Sequence, residues 1–438
     1  MFDLDSATQL ALILFIGVAV LLALGAPIAV SLGLASALAM MAGLGFDNGV
    51  QTSAQRMFTG TSSFTLVAIP FFILAGVIMN NGGISRRLVD AAKVLTGRLP
   101  GTLAHTNVMA NMLFGSISGS AVASAAAVGG TMGPMQAKEG YSREFSAATN
   151  IASAPSGLLI PPSNTLIVFS LVSGGTSIAA LFVAGYVPGI LWGVACMAVV
   201  AVYARRNKIK ADPRVSFRFG LKVVLDAVPS LLLIVIVIGG IIGGVFTATE
   251  GSAVAVVYSL ILAFVYKAVK ISHLPGILLE STRITAVVLV LIGVSSIMSW
   301  VMSYAGIPDL IAGSLLGLSD NMIIIFIVMN LILLAVGTFM DPTPAVLIFT
   351  PIFLPIAMGF GMDPVHFGIM MVFNLCIGTI TPPVGPVLFV GARIANLRIE
   401  SVIRGLLPFF AVLVALLMFV TFVPELSLWL PRLAGLMP

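Results

Sequence analysis

The chain has 438 residues, 59% of them hydrophobic and 8% charged, with a mean hydropathy of +1.15 and a formal charge of +5. So few charges cannot cover a soluble fold of this length, and the composition fits an all-α polytopic membrane protein. Cys196 and Cys376 stand in apolar runs without CxxC spacing and His105, His273 and His366 are scattered, so no disulfide, metal site or cofactor is expected; the positive charge is shared among loops, which argues for cytoplasmic membrane faces and against nucleic acid.

The start, MFDLDS, has no basic n-region and no small-residue cleavage site follows, so residues 7–24 read as a retained helix rather than a signal peptide. Residues 27–44 make a second crossing and 65–81 enter the cytoplasmic side. There Ser85 to Arg98, carrying Arg86, Arg87, Lys93 and Arg98, is expected as a basic amphipathic helix. Residues 101–138 form a unit with basic residues at both ends, Arg98 before it and Lys138 and Arg143 after it. Each limb has about 16 to 18 residues, roughly 24 to 27 Å of helix, against a hydrocarbon core of about 30 Å. A re-entrant hairpin, turning at GSISGSA (Gly115 to Ala121), fits better than two full spans. Residues 145–175 then cross outward, interrupted by LLIPPSNT (Leu158 to Thr165), and 180–204 return to a basic cytoplasmic linker at 205–222.

The second half follows the same plan. Residues 226–245 and 249–267 cross out and back, 284–302 cross outward, and 322–361 make a second hairpin turning at GTFMDPTP (Gly337 to Pro344). A broken helix at 365–392 is interrupted by TITPPVGP (Thr379 to Pro386), and 405–423 cross last. Pro161-Pro162 recurs 221 residues on as Pro382-Pro383; the same shift puts Pro134 on Pro355, Gly140 on Gly361, Gly157 on Gly378 and Ser120 on Asp341. Three of the nine prolines before Arg214 land on prolines, where composition alone gives about 0.5. Two repeats are therefore expected, residues 1–204 and 223–438. The basic stretch from Ile84 to Pro100 corresponds to one from Ala305 to Asn321 that carries Asp309 and Asp320 and no base, so the copies are expected to face opposite sides of the membrane. The expected fold has about ten transmembrane helices, two of them broken, plus two re-entrant hairpins.

Lipid offers no partners to freed backbone groups, so a helix interrupted at membrane depth persists where it is buried in protein or lines a polar cavity. Paired interruptions in matching halves point to a transport site. At the hairpin turns Ser116, Ser118, Ser120 and Thr338 supply hydroxyls and Asp341 a carboxylate, which together with unwound carbonyls suit a small hard cation such as Na⁺. At the breaks, Ser163, Asn164 and Thr165 follow the first Pro-Pro and Thr379 and Thr381 precede the second; restarting half-helices turn N–H groups toward an anion, and carbonyls ending the preceding half-helices face a cation. The plainer account of any one serine is close helix packing with back-bonding to a carbonyl. Arg393 is read as a snorkelling interface residue more than a counter-ion, and Glu250 as a helix cap. Without HExxH, GxSxG with partners, or a paired aspartate, the chain is not read as an enzyme.

GSISGSAVASAAAVG, GLLIPPSNT, GVFTATEGSAVAVVY, GTFMDPTPAVLIFTPIFLP and GTITPPVGPVLF, in this order and over essentially the whole chain, are similar to the large membrane subunit of tripartite ATP-independent periplasmic (TRAP) transporters. The resemblance implies an elevator-type secondary transporter in the bacterial inner membrane that couples uptake of an organic acid, of sialic acid, C4-dicarboxylate or sugar-acid type, to sodium ions. It implies two partners, a small four-helix membrane subunit and a periplasmic substrate-binding protein. By the same resemblance the ion sites fall at Ser116, Ser118, Gly157 and Asn164, and at Gly337, Thr338, Asp341, Gly378 and Thr381. Ser163, Asn164, Thr165, Thr379, Pro382 and Pro383 are the corresponding substrate positions. Ala248 departs from the proline expected there, which bears on a scaffold bend. The alternative is a stand-alone ion-coupled carboxylate carrier of the wider elevator group, which needs no binding protein.

Overall fold

The computed structural model describes residues 6–209, 217–317, 321–382 and 384–437. Residues 210–216 of the linker, Asp320 and Pro383 lie outside the described residues. In chain order α1 (Ser6–Ala23) and α2 (Ile28–Leu44) pack together, α3 (Phe46–Thr61) follows, and a 3₁₀ turn (Phe64–Val67) leads into α4 (Ala68–Asn81) and α5 (Ile84–Thr96). A helical hairpin comes next, α6 (Thr102–Ser118) and α7 (Ala121–Lys138), then a broken helix of α8 (Arg143–Ser153), α9 (Ser156–Leu159) and α10 (Asn164–Val172), and the long α11 (Ile178–Arg206). The second half holds α12 (Phe217–Ile242), α13 (Ala248–Val265), α14 (Leu274–Tyr304) and α15 (Ile307–Leu316). Its hairpin is α16 (Met322–Gly337) and α17 (Pro342–Gly359), its broken helix α18 (Pro364–Gly378) and α19 (Pro386–Ile394), and α20 (Ile399–Phe422) and α21 (Glu425–Leu433) close the chain.

Among the described residues seven helical segments are long and apolar enough to cross a membrane, and the pair Arg143–Leu159 and Asn164–Val172, bent by 48°, makes an eighth. With four shorter apolar helices beside them, this is a multi-pass helical membrane protein. The helix bounds carry the 221-residue shift. Moved by that amount, the starts of α7, α8 and α11 fall on the starts of α17, α18 and α20. The two halves part at one point. In the first, Thr61 and Ser62 bond back to Phe58 O at 3.0 and 2.7 Å, and this hydroxyl run separates α3 from α4. At the matching stretch of the second half, Thr282 to Thr285, there is no break, and α14 runs through it from Leu274, ten residues before the expected start of its span.

Three further differences have local causes. The sequence of α3, FDNGVQTSAQRMFTGT, is polar on one face and carries no apolar run for a span-seeking reading to find. At the second turn of α20, Arg404 is inside the helix rather than ahead of it, since α20 starts at Ile399. Beyond the last span α21 adds an amphipathic helix that packs on α11. The cap expected of Glu250 is present as a capping box: Thr247 N–H donates to Glu250 Oε2 at 2.8 Å and Glu250 N–H to Thr247 Oγ1 at 3.2 Å.

The two broken helices share one core. Trp192 of α11 is fully buried, donates its indole N–H to Ala152 O of α8 at 2.8 Å and lies against Phe373 of α18, ring centroids 4.8 Å apart. One aromatic side chain thus holds both halves at mid-length, with its polar atom satisfied.

Candidate functional site

Each hairpin crosses its own broken helix through glycine. A Cβ on Gly157 of α9 would lie 2.2 Å from Gly115 Cα on α6, and one on Gly378 of α18 would lie 2.5 Å from Gly337 Cα on α16. Backbones approach this closely only where both residues lack side chains. Polar pairs reinforce each crossing. In the first, Asn111 Nδ2 donates to Asn150 Oδ1 at 3.1 Å and to Ser153 Oγ at 2.8 Å; in the second, Asn374 Nδ2 donates to Asn330 Oδ1 at 2.7 Å. All of these asparagines are buried. Sequence reading missed them because their bonds span 39 to 44 residues; the one signal, an asparagine in an otherwise apolar helix, is present for Asn330 and Asn374.

The hairpin tips touch the points where the broken helices restart. Asn164, first residue of α10, places its amide beside Gly119, whose φ of +61° makes the tip turn. Its counterpart by the 221-residue shift, Gly385, donates its N–H to Thr338 O at 2.9 Å. Ser116 meets Gly157 through its backbone N. The hydroxyls of Ser116, Thr338, Thr379 and Thr381 donate to carbonyls three or four residues back, at 2.7 to 2.9 Å. Back-bonding uses the proton and leaves each oxygen lone pairs for a cation.

Both tips and both restarts open on one cavity of ≈ 210 Å³. Ser118, Ser120, Asn164 and Thr165 line it from the first half, and Asp341, Thr343, Thr379 and Val387 from the second. Of the residues singled out from the sequence, Ser118, Ser120, Asn164, Thr165, Asp341 and Thr379 therefore share a wall. Ser116, Gly157, Ser163, Gly337, Thr338, Gly378, Thr381 and Pro382 stand behind it as the crossings and turns that shape it. Pro383 is outside the described residues. Glu280 of α14, with Ile284 and Val288 one and two turns on, closes the far side. Glu280 was not expected, because a charge ahead of an apolar run reads as a loop when it is in fact the second turn of α14.

Ser120 and Asp341 are equivalent by the 221-residue shift, and each is the N-cap of its hairpin's second limb. Ser120 accepts from Ala123 N at 3.2 Å, while the Asp341 carboxylate stands by the Thr343 N–H of α17 without a well-formed cap hydrogen bond. The serine caps its helix end; the carboxylate interacts with its helix end only weakly and also lines the cavity. The two restarts differ as well. In the second, Val387 and Leu388 N–H both donate to Thr379 O, at 3.1 and 3.4 Å, which closes that helix end on the chain itself. In the first, Ser163 Oγ accepts from Leu166 N at 3.4 Å and Ser163 O from Ile167 N at 3.2 Å, so the positive end of α10 points its first residues, Asn164 and Thr165, at the cavity.

A second polar cavity, ≈ 530 Å³, lies farther along the same α14. Ser295, Ser296, Ser299 and Ser303 line it with Arg56 of α3 and Gly174 beyond α10, and the Arg56 guanidinium sits 5.6 Å from the Trp300 ring centroid. Ser295 is buried and its Oγ has no hydrogen-bond partner among the described residues.

Residues 15–426 match the family described as "Tripartite ATP-independent periplasmic transporter, DctM component". The chain is 56% identical over 422 residues to YgiK of Salmonella typhimurium, covering 96% of this chain and 97% of that one. It is 42% identical over 392 residues, 89% of this chain and 91% of the other, to the C4-dicarboxylate TRAP transporter large permease protein DctM of Pseudomonas aeruginosa. Its fold resembles that of the Alcanivorax borkumensis YdaH transporter, with a TM-score of 0.55 at 14% identity over 86% of this chain and 88% of that one. The family match and the sequence identities extend over nearly the full length, and the chain belongs to the DctM family of TRAP transporter large permeases.

Proposed function

We propose that this chain is the large membrane subunit of a sodium-coupled TRAP transporter that imports a small organic acid across the bacterial inner membrane. The observation that carries the reading is the single cavity onto which both hairpin tips and both helix restarts open, with a carboxylate on one side and a helix N-terminus on the other. Asp341 supplies the charge for a sodium ion, with oxygens of Thr338 and Thr381 behind it; Ser116, Ser118 and Asn164 serve the first ion site. The start of α10, with Asn164 and Thr165, holds the substrate carboxylate. A volume of ≈ 210 Å³ is below the ~300–1,000 Å³ of drug-sized ligand sites, which favours a four-carbon diacid over a larger sugar acid.

The two cavities along α14 support an elevator. In the path read from the charges, on which residues 284–302 cross outward, the hairpin cavity faces the cytoplasmic half of α14, and the serine-lined cavity its outer half. Sliding the transport unit along α14 carries the site from one level to the other, and Arg56 with the serines meets an arriving anion on the outer side. A binding protein delivers the acid there, and a four-helix small subunit completes the scaffold.

Uptake of labelled succinate into proteoliposomes tests this. Transport should require the small subunit, the binding protein and an inward sodium gradient together. Uptake by this chain alone would favour a stand-alone carrier, and gradient-independent uptake would remove sodium coupling. Orientation is tested separately. Single cysteines at positions 86 and 208 should label from the cytoplasmic side and those at 309 and 363 from the periplasmic side. Labelling of all four from one side rules out residues 1–204 and 223–438 as inverted repeats.

A further inference from the structure

We propose that a groove between the start of α8, the end of α11 and the start of α20 binds one anionic phospholipid. It is the largest cavity among those described, ≈ 1080 Å³, and it lies apart from the hairpin tips. Arg206 of α11, Arg398 ahead of α20 and Arg404 within it line one end. None of the three forms an ion pair among the described residues, although Glu144 and Glu400 also line the groove.

The apolar part of the lining has a fixed direction. On α11, Ala198, Val199 and Val202 precede Arg206, and on α20, Pro408 and Val412 follow Arg404. Eight residues separate Val412 from Arg404, about 12 Å along a helix. The end of α11 and the start of α20 are neighbours, so on both helices the lining passes from guanidinium to hydrocarbon in the same sense. A ligand that fits this gradient is charged at one end and apolar for about 12 Å beyond. A phosphodiester headgroup on acyl chains has that form, and basic pockets between helices at the cytoplasmic interface are where anionic headgroups are held. Free phosphate would make no use of the valine floor, and a zwitterionic lipid, whose phosphodiester is offset by its own ammonium, would gain less from three arginines than an anionic one.

Native mass spectrometry of the full chain, with dioleoyl phosphatidylglycerol or phosphatidylcholine added to the detergent, tests the site. One phosphatidylglycerol should be retained, and phosphatidylcholine, with its own cation beside the phosphate, markedly less. The double variant R398Q/R404Q changes two exposed side chains and should retain the fold while weakening phosphatidylglycerol retention roughly thirtyfold. R398K/R404K should restore most of it, and Val202→Trp, which fills the apolar floor, should lower it with all three arginines present. Equal retention of the two lipids, or retention unchanged in R398Q/R404Q, overturns the proposal. Displacement by inorganic phosphate overturns it in favour of a simple anion site, and displacement on adding the small subunit identifies the groove as that subunit's seat.

Discussion

Asp341→Asn should raise the sodium concentration for half-maximal uptake at least about tenfold and lower the rate at saturating substrate. Cation sites are tuned over decades by the number of charged ligands they offer, and among the lining residues named from both hairpins Asp341 is the one carboxylate. The exchange is close to neutral for the fold. Asparagine is as good an N-cap as aspartate, so α17 keeps its start, and its amide oxygen can keep the weak interaction that the aspartate makes with the Thr343 N–H. Ser120→Ala is the informative contrast at the equivalent position. It removes a real cap bond to Ala123 N, at a cost of typically ~1 kcal/mol, and removes no charge. Ser120→Ala should therefore move the thermal midpoint more than the sodium dependence, and Asp341→Asn the reverse. Sodium titrations of uptake and melting curves on both variants check this. An unchanged sodium dependence in Asp341→Asn would reassign the aspartate to the Pro342 turn.

Why these residues were readable in advance is a matter of punctuation. The limbs expected within 101–138 and 322–361 emerge as helices at 102–118 and 121–138 and at 322–337 and 342–359, since glycine or proline stands at or near every boundary but the start of α16, which Asn321 caps. The breaks were readable for the same reason. Ser118, Asn164, Thr165, Asp341 and Thr379 could be named because turns and helix restarts at membrane depth must face something polar. Glu280 obeys no such rule. It belongs to a helix whose hydrophobicity rises only four residues later, and only the neighbouring hairpin tips give it a cavity to face. The asparagine pairs at 111 and 150 and at 330 and 374 depend on which helices cross, a tertiary fact. The contrast between the restarts is equally hidden: Thr379 O closes one helix end, and no spacing of residues distinguishes that from the open end at Asn164.

The glycine crossings predict the largest structural effect. An added methyl at Gly157 would stand 2.2 Å from Gly115 Cα, 2.3 Å from its carbonyl carbon and 2.8 Å from Ser116 N, all backbone atoms that no rotamer change can move aside. Carbon atoms in contact sit about 3.5–4.0 Å apart, so Gly157→Ala must push α6 and α9 apart by more than about 1 Å. Overpacking of this kind costs typically 1–3 kcal/mol. The displacement also carries Ser116 and Ser118 away from Asn164, so sodium affinity should fall together with stability. Gly378→Ala, 2.5 Å from Gly337 Cα, should do the same in the second half. Gly130→Ala is the control: a methyl there meets nothing within 4 Å, and alanine is the better helix former. Thermal midpoints and sodium titrations of the three variants should separate them, with the crossing variants losing both properties and Gly130→Ala losing neither. If Gly157→Ala melted and titrated like Gly130→Ala, the hairpin would not be seated on the broken helix through Gly115 and Gly157, and the cavity would need another frame.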